Sequence, residues 1–347
     1  MPGKSFILLI KLALSILFGQ TFCLSAHAVE FVQLDSEARQ LPRLHSLLIS
    51  RGDELVFEQY YNGHDRWQSA NMKSASKSII SALVGIAIEQ RLIPGVDEPI
   101  STYFPDYPAV SAPGDDAITI EDLLTMEAGL ASTSDNRTYG RWAVSDDWVQ
   151  FVLSQPVVAQ PGERMIYSTG STHLLSAILT LATGMDTRSF AQQYLLDPLN
   201  ARISYWSQDP QGVYFGGNNM EMTPRDMLAF GQLYLNEGEY RGVEVVPAEW
   251  VAVSHQPHAS SPRGQGRFYG YGWWLRDLAG MQVPVAWGYG GQLIFVVEEL
   301  DLVVVATSDS NPGSDRRGHL GALYDLVEEQ ILQPLVVESR VSGTTLP

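Results

Sequence analysis

Cysteine is almost absent. Cys23 is the only one in 347 residues, and it falls in an N-terminal apolar stretch ending at Ala26-His27-Ala28, an Ala-x-Ala cleavage pattern. A mature chain from Val29 would therefore hold no disulfide, no reactive thiol and no cysteine metal site. Thr21 and Phe22, just before the cysteine, are not the small residues of a bacterial lipoprotein site. Also missing is an apolar run of the ~20 residues needed to cross a bilayer. Phe6 to Phe18 is interrupted by Lys11 and preceded by Lys4, so residues 1–28 read as a cleaved secretory signal, and the expected location is periplasmic or secreted from a bacterial cell.

Basic residues are scarce, 22 Lys and Arg against 39 Asp and Glu, for a formal charge of −17. Losing Lys4 and Lys11 with a signal that contains no acid takes this to −19. So acidic a surface disfavours nucleic acid or an anionic membrane as partner, leaving a small-molecule or short-peptide substrate, and it does not fix the oligomeric state. No His-Glu-x-x-His, Gly-x-Ser-x-Gly or phosphate-binding loop occurs, and His255 and His258 form a bare pair. No metal and no cofactor are expected.

The remaining composition is that of a chain able to build a large core. Ser46–Ser50 and Glu54–Tyr61 predict a hairpin joined by Arg51-Gly52-Asp53. Residues 99–222 read as mostly helical, with Thr119 capping 120–127, Ser145 capping 146–154, and further helices over 171–182 and 189–196. Thr223 caps a helix that has Pro224 at its first position and Gly238 beyond its end. Another helix is expected over 247–255. Strand patterning follows over 271–276, 283–288, 293–300 and 302–307, then a helix over 318–333 and a frayed tail from about 336. The fold class is α/β: an antiparallel sheet flanked by helices, built from both chain ends (29–98 and 223–335), with a mostly helical insertion over 99–222.

Chemistry is concentrated first in Ser74-Ala75-Ser76-Lys77, at the start of an apolar helical run. Positions i and i+3 share a helix face, so the Ser74 hydroxyl and the Lys77 amine can meet. A helix N-terminus adds backbone N–H groups able to hold an oxyanion when serine attacks a carbonyl. Ser74 as a plain N-cap is the alternative, but a capping box would place Glu or Gln where Lys77 stands. A cation there opposes the helix dipole, and with burial its pKa falls toward that of a useful base.

A serine nucleophile also needs a second proton shuttle. Tyr167, at a helix start with Ser168, Thr169 and Ser171, is the candidate, although tyrosines in such places are more often packing residues. Trp287-Gly288-Tyr289-Gly290-Gly291-Gln292 enters an apolar strand, and paired glycines mark a close backbone approach. With a substrate carbonyl as the approaching group, the Gln292 and Ser74 N–H groups would form an oxyanion hole, and an extended ligand would lie along 290 and 291. Trp273, Trp274 and Trp287 read as core or cleft wall.

In this order, Ser74 to Lys77, Tyr167 to Thr169 and Tyr289 to Gly291, the chain resembles the serine β-lactamase and penicillin-binding-protein superfamily. The nearest branch contains class C β-lactamases, esterases of that fold and aminohexanoate-oligomer hydrolases. Leu123 to Leu130, Pro161-Gly162-Glu163 and Met222 to Met227 support it, and the likeness runs from about residue 40 to residue 335. It implies Ser74, Lys77 and Tyr167 as catalytic, Thr169, Tyr289, Gly290 and Gly291 as substrate-binding, and an acyl-enzyme pathway.

Two departures bear on substrate. Thr169 replaces the amide of Tyr-x-Asn, and Tyr289 replaces the cation of Lys-Thr-Gly, which suits an uncharged ester or small linear amide unless Arg263 or Arg267 supplies the charge. Hydrolysis of β-lactams or D-alanyl peptides is the enzymatic alternative, and a catalytically silent binder of cell-wall peptide the non-enzymatic one. Ser134-Asp135-Asn136 spells a motif of a different branch. It is read here as a turn, with Tyr167 preferred as the second element.

Overall fold

The computed structural model describes residues 31–107, 117–262, 264, 266–311, 313 and 316–342. The expected signal segment, Arg263 and the last five residues lie outside them. Eight strands form one antiparallel sheet: β1 (Leu44–Arg51), β2 (Glu54–Tyr60), β3 (Ala259–Ser260), β4 (Arg267–Tyr269), β5 (Trp274–Leu278), β6 (Met281–Gly288), β7 (Gln292–Val297) and β8 (Leu302–Ser308). Their order is β2-β1-β8-β7-β6-β5-β4-β3. The two chain ends meet where β1 pairs β8, with Ile49 opposite Val304.

Strand alternation divides the apolar residues between two cores. Leu293, Phe295 and Val297 pack with Leu323 and Val327 on one face, while Ile294 and Val296 pack with Phe230 and Leu233 on the other. Both faces are covered, which is why β7 and β8 read as unbroken apolar runs rather than alternating ones. Each such side chain contributes about 1.5–3 kcal/mol on burial, and the sheet is thereby a rigid middle layer.

On the site face α1 (Ser76–Glu89) and α3 (Pro224–Leu235) pack on the sheet, and α2 (Thr169–Thr183) packs on α1. In α1 every residue from Ser76 to Ala87 is buried, and a Cβ at Gly85 would lie 2.4 Å from the Trp250 ring, so that helix is tightly wedged. Thr223 and Asp226 close a capping box at the start of α3. On the opposite face α4 (Arg316–Val327) continues through a π-helical turn into a helix over Gln333–Ser342. Fraying expected from 336 is therefore not found as far as Ser342; Val336 is buried in the second core.

Other local expectations shift. Asp147, not Ser145, caps the helix Trp148–Leu153 by accepting from Gln150 N, while the Ser145 hydroxyl turns back to Trp142 O. β5 begins at Trp274 because Gly272 has φ +83°, outside strand conformation. Glu298–Leu300 leaves the β7 direction in a 3₁₀ turn. An unexpected small sheet joins Ala70–Asn71 to Met220–Met222 and Tyr205–Trp206, tying the segment before Ser74 to a distant part of the chain.

Candidate active site

Ser74 sits in a 3₁₀ turn, Lys73–Ala75, that leads into α1 rather than in the α-helix itself. Three contacts hold the turn. Met72 N–H donates to Met220 O at 2.8 Å, Lys73 N–H donates to Asn71 Oδ1 at 3.0 Å, and a Cβ at Gly288 would lie 2.1 Å from Met72 O. Lys73 has φ +50°, a left-handed conformation that costs a non-glycine residue energy. The nucleophile candidate is thus pinned between the small sheet and the end of β6, half-buried and reachable from solvent.

Lys77 is 1% exposed, one turn further along and on the same side. Its amine donates to Gly217 O at 3.0 Å, to Ser74 Oγ at 3.3 Å and to Thr169 Oγ1 at 3.3 Å. Burial pushes the Lys77 pKa down from 10.5 to about 7. An amine that is half neutral near pH 7 and in contact with a serine hydroxyl can take that hydroxyl's proton.

Tyr167 packs beside this amine: the Lys77 nitrogen lies 5.2 Å from its ring centroid. Its other neighbours are Trp274, stacked at 5.5 Å, and Tyr269, edge-on at 6.1 Å. Trp274 is therefore cleft wall, whereas Trp273 is fully buried against Phe230 and Tyr234. Thr169, the first residue of α2, is buried and faces Lys77, so it fits a part in holding the amine better than the expected contact with substrate. Ser134 joins this group: its Oγ accepts from Thr169 N–H at 2.8 Å and lies 2.9 Å from Thr169 Oγ1. Asp135 alone behaves as the turn reading requires, capping the helix Asn136–Ala143. The two motifs set against each other from the sequence adjoin.

The glycine segment differs more from expectation. Residues 289–291 form the tight turn between β6 and β7, with Gly290 and Gly291 at φ +92° and +103° and both buried. A Cβ at Gly291 would meet Leu323 and Ser308 at 2.6 and 2.9 Å, so this glycine answers to internal packing and not to a ligand. Gln292 is fully buried, and its side chain donates to Ser308 O at 2.6 Å while accepting from Ser308 N at 3.3 Å. A residue with no exposed atom offers a substrate no N–H, which speaks against the oxyanion role expected of it. Only Tyr289 in this turn reaches solvent, at 37% exposure.

Sequence reading missed the support under Lys77. Gly217 has φ +87°, and a Cβ there would lie 2.6 Å from the Lys77 nitrogen. Its neighbour Gly216 donates N–H to His173 Nδ1 at 3.4 Å; His173 Nε2–H then donates to Asp209 Oδ2 at 3.0 Å. Asp209 Oδ1 accepts from Gln211 and Val213 backbone N–H groups. Phe215, Trp142 and Trp148 enclose the imidazole. The paired glycines of Phe215-Gly216-Gly217 were the available signal. Among the described residues no group of three or more His, Cys, Asp or Glu is placed to hold a metal ion, and no helix is long and apolar enough to cross a membrane.

The family model described as Beta-lactamase matches residues 45–328. The chain belongs to the beta-lactamase family. Within it, the chain is similar to the 6-aminohexanoate-dimer hydrolase of Paenarthrobacter ureafaciens, 25% identical over 320 residues, 82% of this chain and 80% of that relative. Among solved structures it is similar to EstCE1, a hydrolase with promiscuous acyltransferase activity, at TM-score 0.69 and 18% identity, covering 86% of this chain and 99% of that one. It is also similar to the octameric penicillin-binding protein homologue from Pyrococcus abyssi, at TM-score 0.65 and 18% identity, covering 88% and 76%. At these identities the solved structures show a shared fold. This beta-lactamase family member is thus a beta-lactamase-fold hydrolase related to a 6-aminohexanoate-dimer hydrolase.

Proposed function

We propose that this beta-lactamase family protein is a secreted serine hydrolase that cleaves a carboxylic ester or small linear amide through an acyl-Ser74 intermediate. The observation that carries this reading is the fully buried Lys77 amine, brought to a pKa of about 7 and set 3.3 Å from Ser74 Oγ. Neutral Lys77 accepts the Ser74 proton as Oγ attacks the carbonyl carbon. The resulting oxyanion is held by the Ser74 N–H and by an N–H of the exposed Tyr289 turn, which replaces the buried Gln292 in this role. Collapse breaks the bond to the leaving alcohol or amine, which takes the proton from Lys77 with the help of Tyr167. Water, deprotonated by the same pair, then attacks the acyl ester and releases the acid and Ser74. No cofactor enters these steps.

Tyr289 at the rim supplies a hydroxyl and a ring where a lysine would hold a β-lactam carboxylate, which supports ester or linear amide over β-lactam. The deciding experiment compares the mature protein with Ser74→Ala on para-nitrophenyl acetate, nitrocefin and aminohexanoate dimer, alongside fluorophosphonate labelling. Turnover and label on Ser74, both lost in the variant, are expected. Label on Ser76 or Ser78, or a protein inert to every substrate and to the label, would defeat the reading.

A further inference from the structure

Arg267 on β4 and Arg276 on β5 stand directly opposite each other in the antiparallel register. Like charges facing across a strand pair are destabilising, and this pair occurs in a chain whose acids far outnumber its bases. The next pair in the same register, two residues along and so on the same sheet face, is Tyr269 opposite Trp274. Trp274 is also the residue stacked on Tyr167. One indole therefore forms a wall between the candidate active site and the arginine pair, and two residues of strand place the pair about 7 Å beyond it.

A cavity of about 120 Å³ lies there, lined by Ser261, Arg267, Trp274, Arg276, Trp287 and Tyr324. The Arg276 guanidinium lies 4.3 Å from the Tyr324 ring centroid. A guanidinium against an aromatic ring is held in place while its planar N–H fork stays able to grip a carboxylate with two bonds. Among the described residues no ion pair involves Arg276. An anion seated between the two arginines would be attracted by both guanidinium groups.

We propose that this pocket is a subsite for a carboxylate carried at the far end of the substrate, separated from the scissile carbonyl by several methylenes or an aromatic ring. The inference rests on the serine-hydrolase reading and narrows it to linear monoanionic esters or amides. It also separates two kinds of anion: a β-lactam carboxylate, close to the reacting carbonyl, falls at Tyr289, whereas a distal carboxylate reaches past Trp274.

The test compares matched pairs of esters. Mono-para-nitrophenyl adipate and its methyl ester carry the charge, or its neutral mimic, on the acyl side. The acetate of para-hydroxyphenylpropanoate and its methyl ester carry it on the leaving side. In one pair, kcat/KM for the carboxylated member is expected to exceed the neutral one by about tenfold, the low end for a charge-assisted hydrogen bond. That ratio falls toward unity in Arg276→Gln and in Arg267→Gln and is partly kept in Arg276→Lys. Because it is taken within one preparation, a loss of folded enzyme cancels.

Ratios at or below unity in both pairs, or ratios unchanged by the substitutions, would overturn the subsite while hydrolysis of the neutral esters leaves the catalytic reading standing. If none of the four esters is cleaved and Ser74 takes no label, the catalytic reading fails instead. Tryptophan fluorescence then reads the pocket without turnover. Quenching or enhancement by para-hydroxyphenylpropanoate, at least tenfold weaker in Arg276→Gln, supports it, and no response overturns it.

Discussion

Ser134 and Thr169 are joined twice: Thr169 N–H donates to Ser134 Oγ at 2.8 Å, and the two hydroxyls lie 2.9 Å apart. Since Thr169 Oγ1 in turn lies 3.3 Å from the Lys77 amine, Ser134 bears on the catalytic candidate through one intermediary. Ser134→Ala leaves a helix-terminal N–H without this acceptor, at about 0.5–2 kcal/mol. It also lets the Thr169 hydroxyl turn from the amine. A small drop in Tm and a fall in kcat of about tenfold are expected, with KM for a neutral ester little changed. Wild-type kcat in this variant would reduce Ser134 to a turn residue.

Lys77 makes two pH-dependent predictions of determined sign. Its base form is required, so kcat/KM for a neutral ester rises with pH through about 7. Stability moves with it. The unfolded chain holds the lysine proton up to 10.5 and the folded chain only to about 7, so within that window the unfolded state binds more protons and stability rises with pH. Lys77→Met removes that dependence along with turnover. Denaturant melts near pH 6 and pH 10 should show the variant's stability relative to wild type greatest at the lower pH, by on the order of 4 kcal/mol at most. An equal difference at both pH values would mean that the folded lysine titrates normally.

The contact between Ser74 and Lys77 was legible in the sequence because an i, i+3 contact depends only on local backbone geometry. β7 and β8 were legible because a strand buried on both faces must be an apolar run. What stayed hidden is non-local. The third acceptor of the Lys77 amine is the carbonyl of Gly217, 140 positions away. Gln292 follows a glycine pair that looked open to a ligand, but Leu323 and Ser308, from other elements, fill the space beside Gly291. Ser145 and Asp147 are both competent caps, and only the actual helix start distinguishes them.

Tyr167→Phe keeps the ring that stacks on Trp274 at 5.5 Å and removes only the hydroxyl. Thermal stability should change little. Loss of a positioned proton shuttle lowers kcat by about 10²- to 10⁴-fold. Single-turnover measurement of acylation and deacylation would show both steps slowed, because the proposed proton path serves each. A variant within a fewfold of wild type in both steps would make Tyr167 a packing residue only.

Gly217→Ala tests whether the open space beside Gly217 sets the position of the Lys77 amine. The φ of +87° alone makes an alanine there unfavourable, by roughly 1–2 kcal/mol. In addition the new Cβ would lie 2.6 Å from the Lys77 nitrogen and 3.0 Å from its Cγ, so the side chain must move. Gly212 separates these effects: its φ is +86°, nearly the same, and a Cβ there meets nothing within 4 Å. Gly212→Ala should therefore lose a similar amount of stability and retain turnover. Gly217→Ala should also lose about 10²-fold in kcat, the scale of a 1 Å misplacement of a reacting group, and its pH–rate limb should move from about 7 as the amine's burial changes. Equal kcat in the two variants would show that Lys77 finds its place even when the space beside residue 217 is filled.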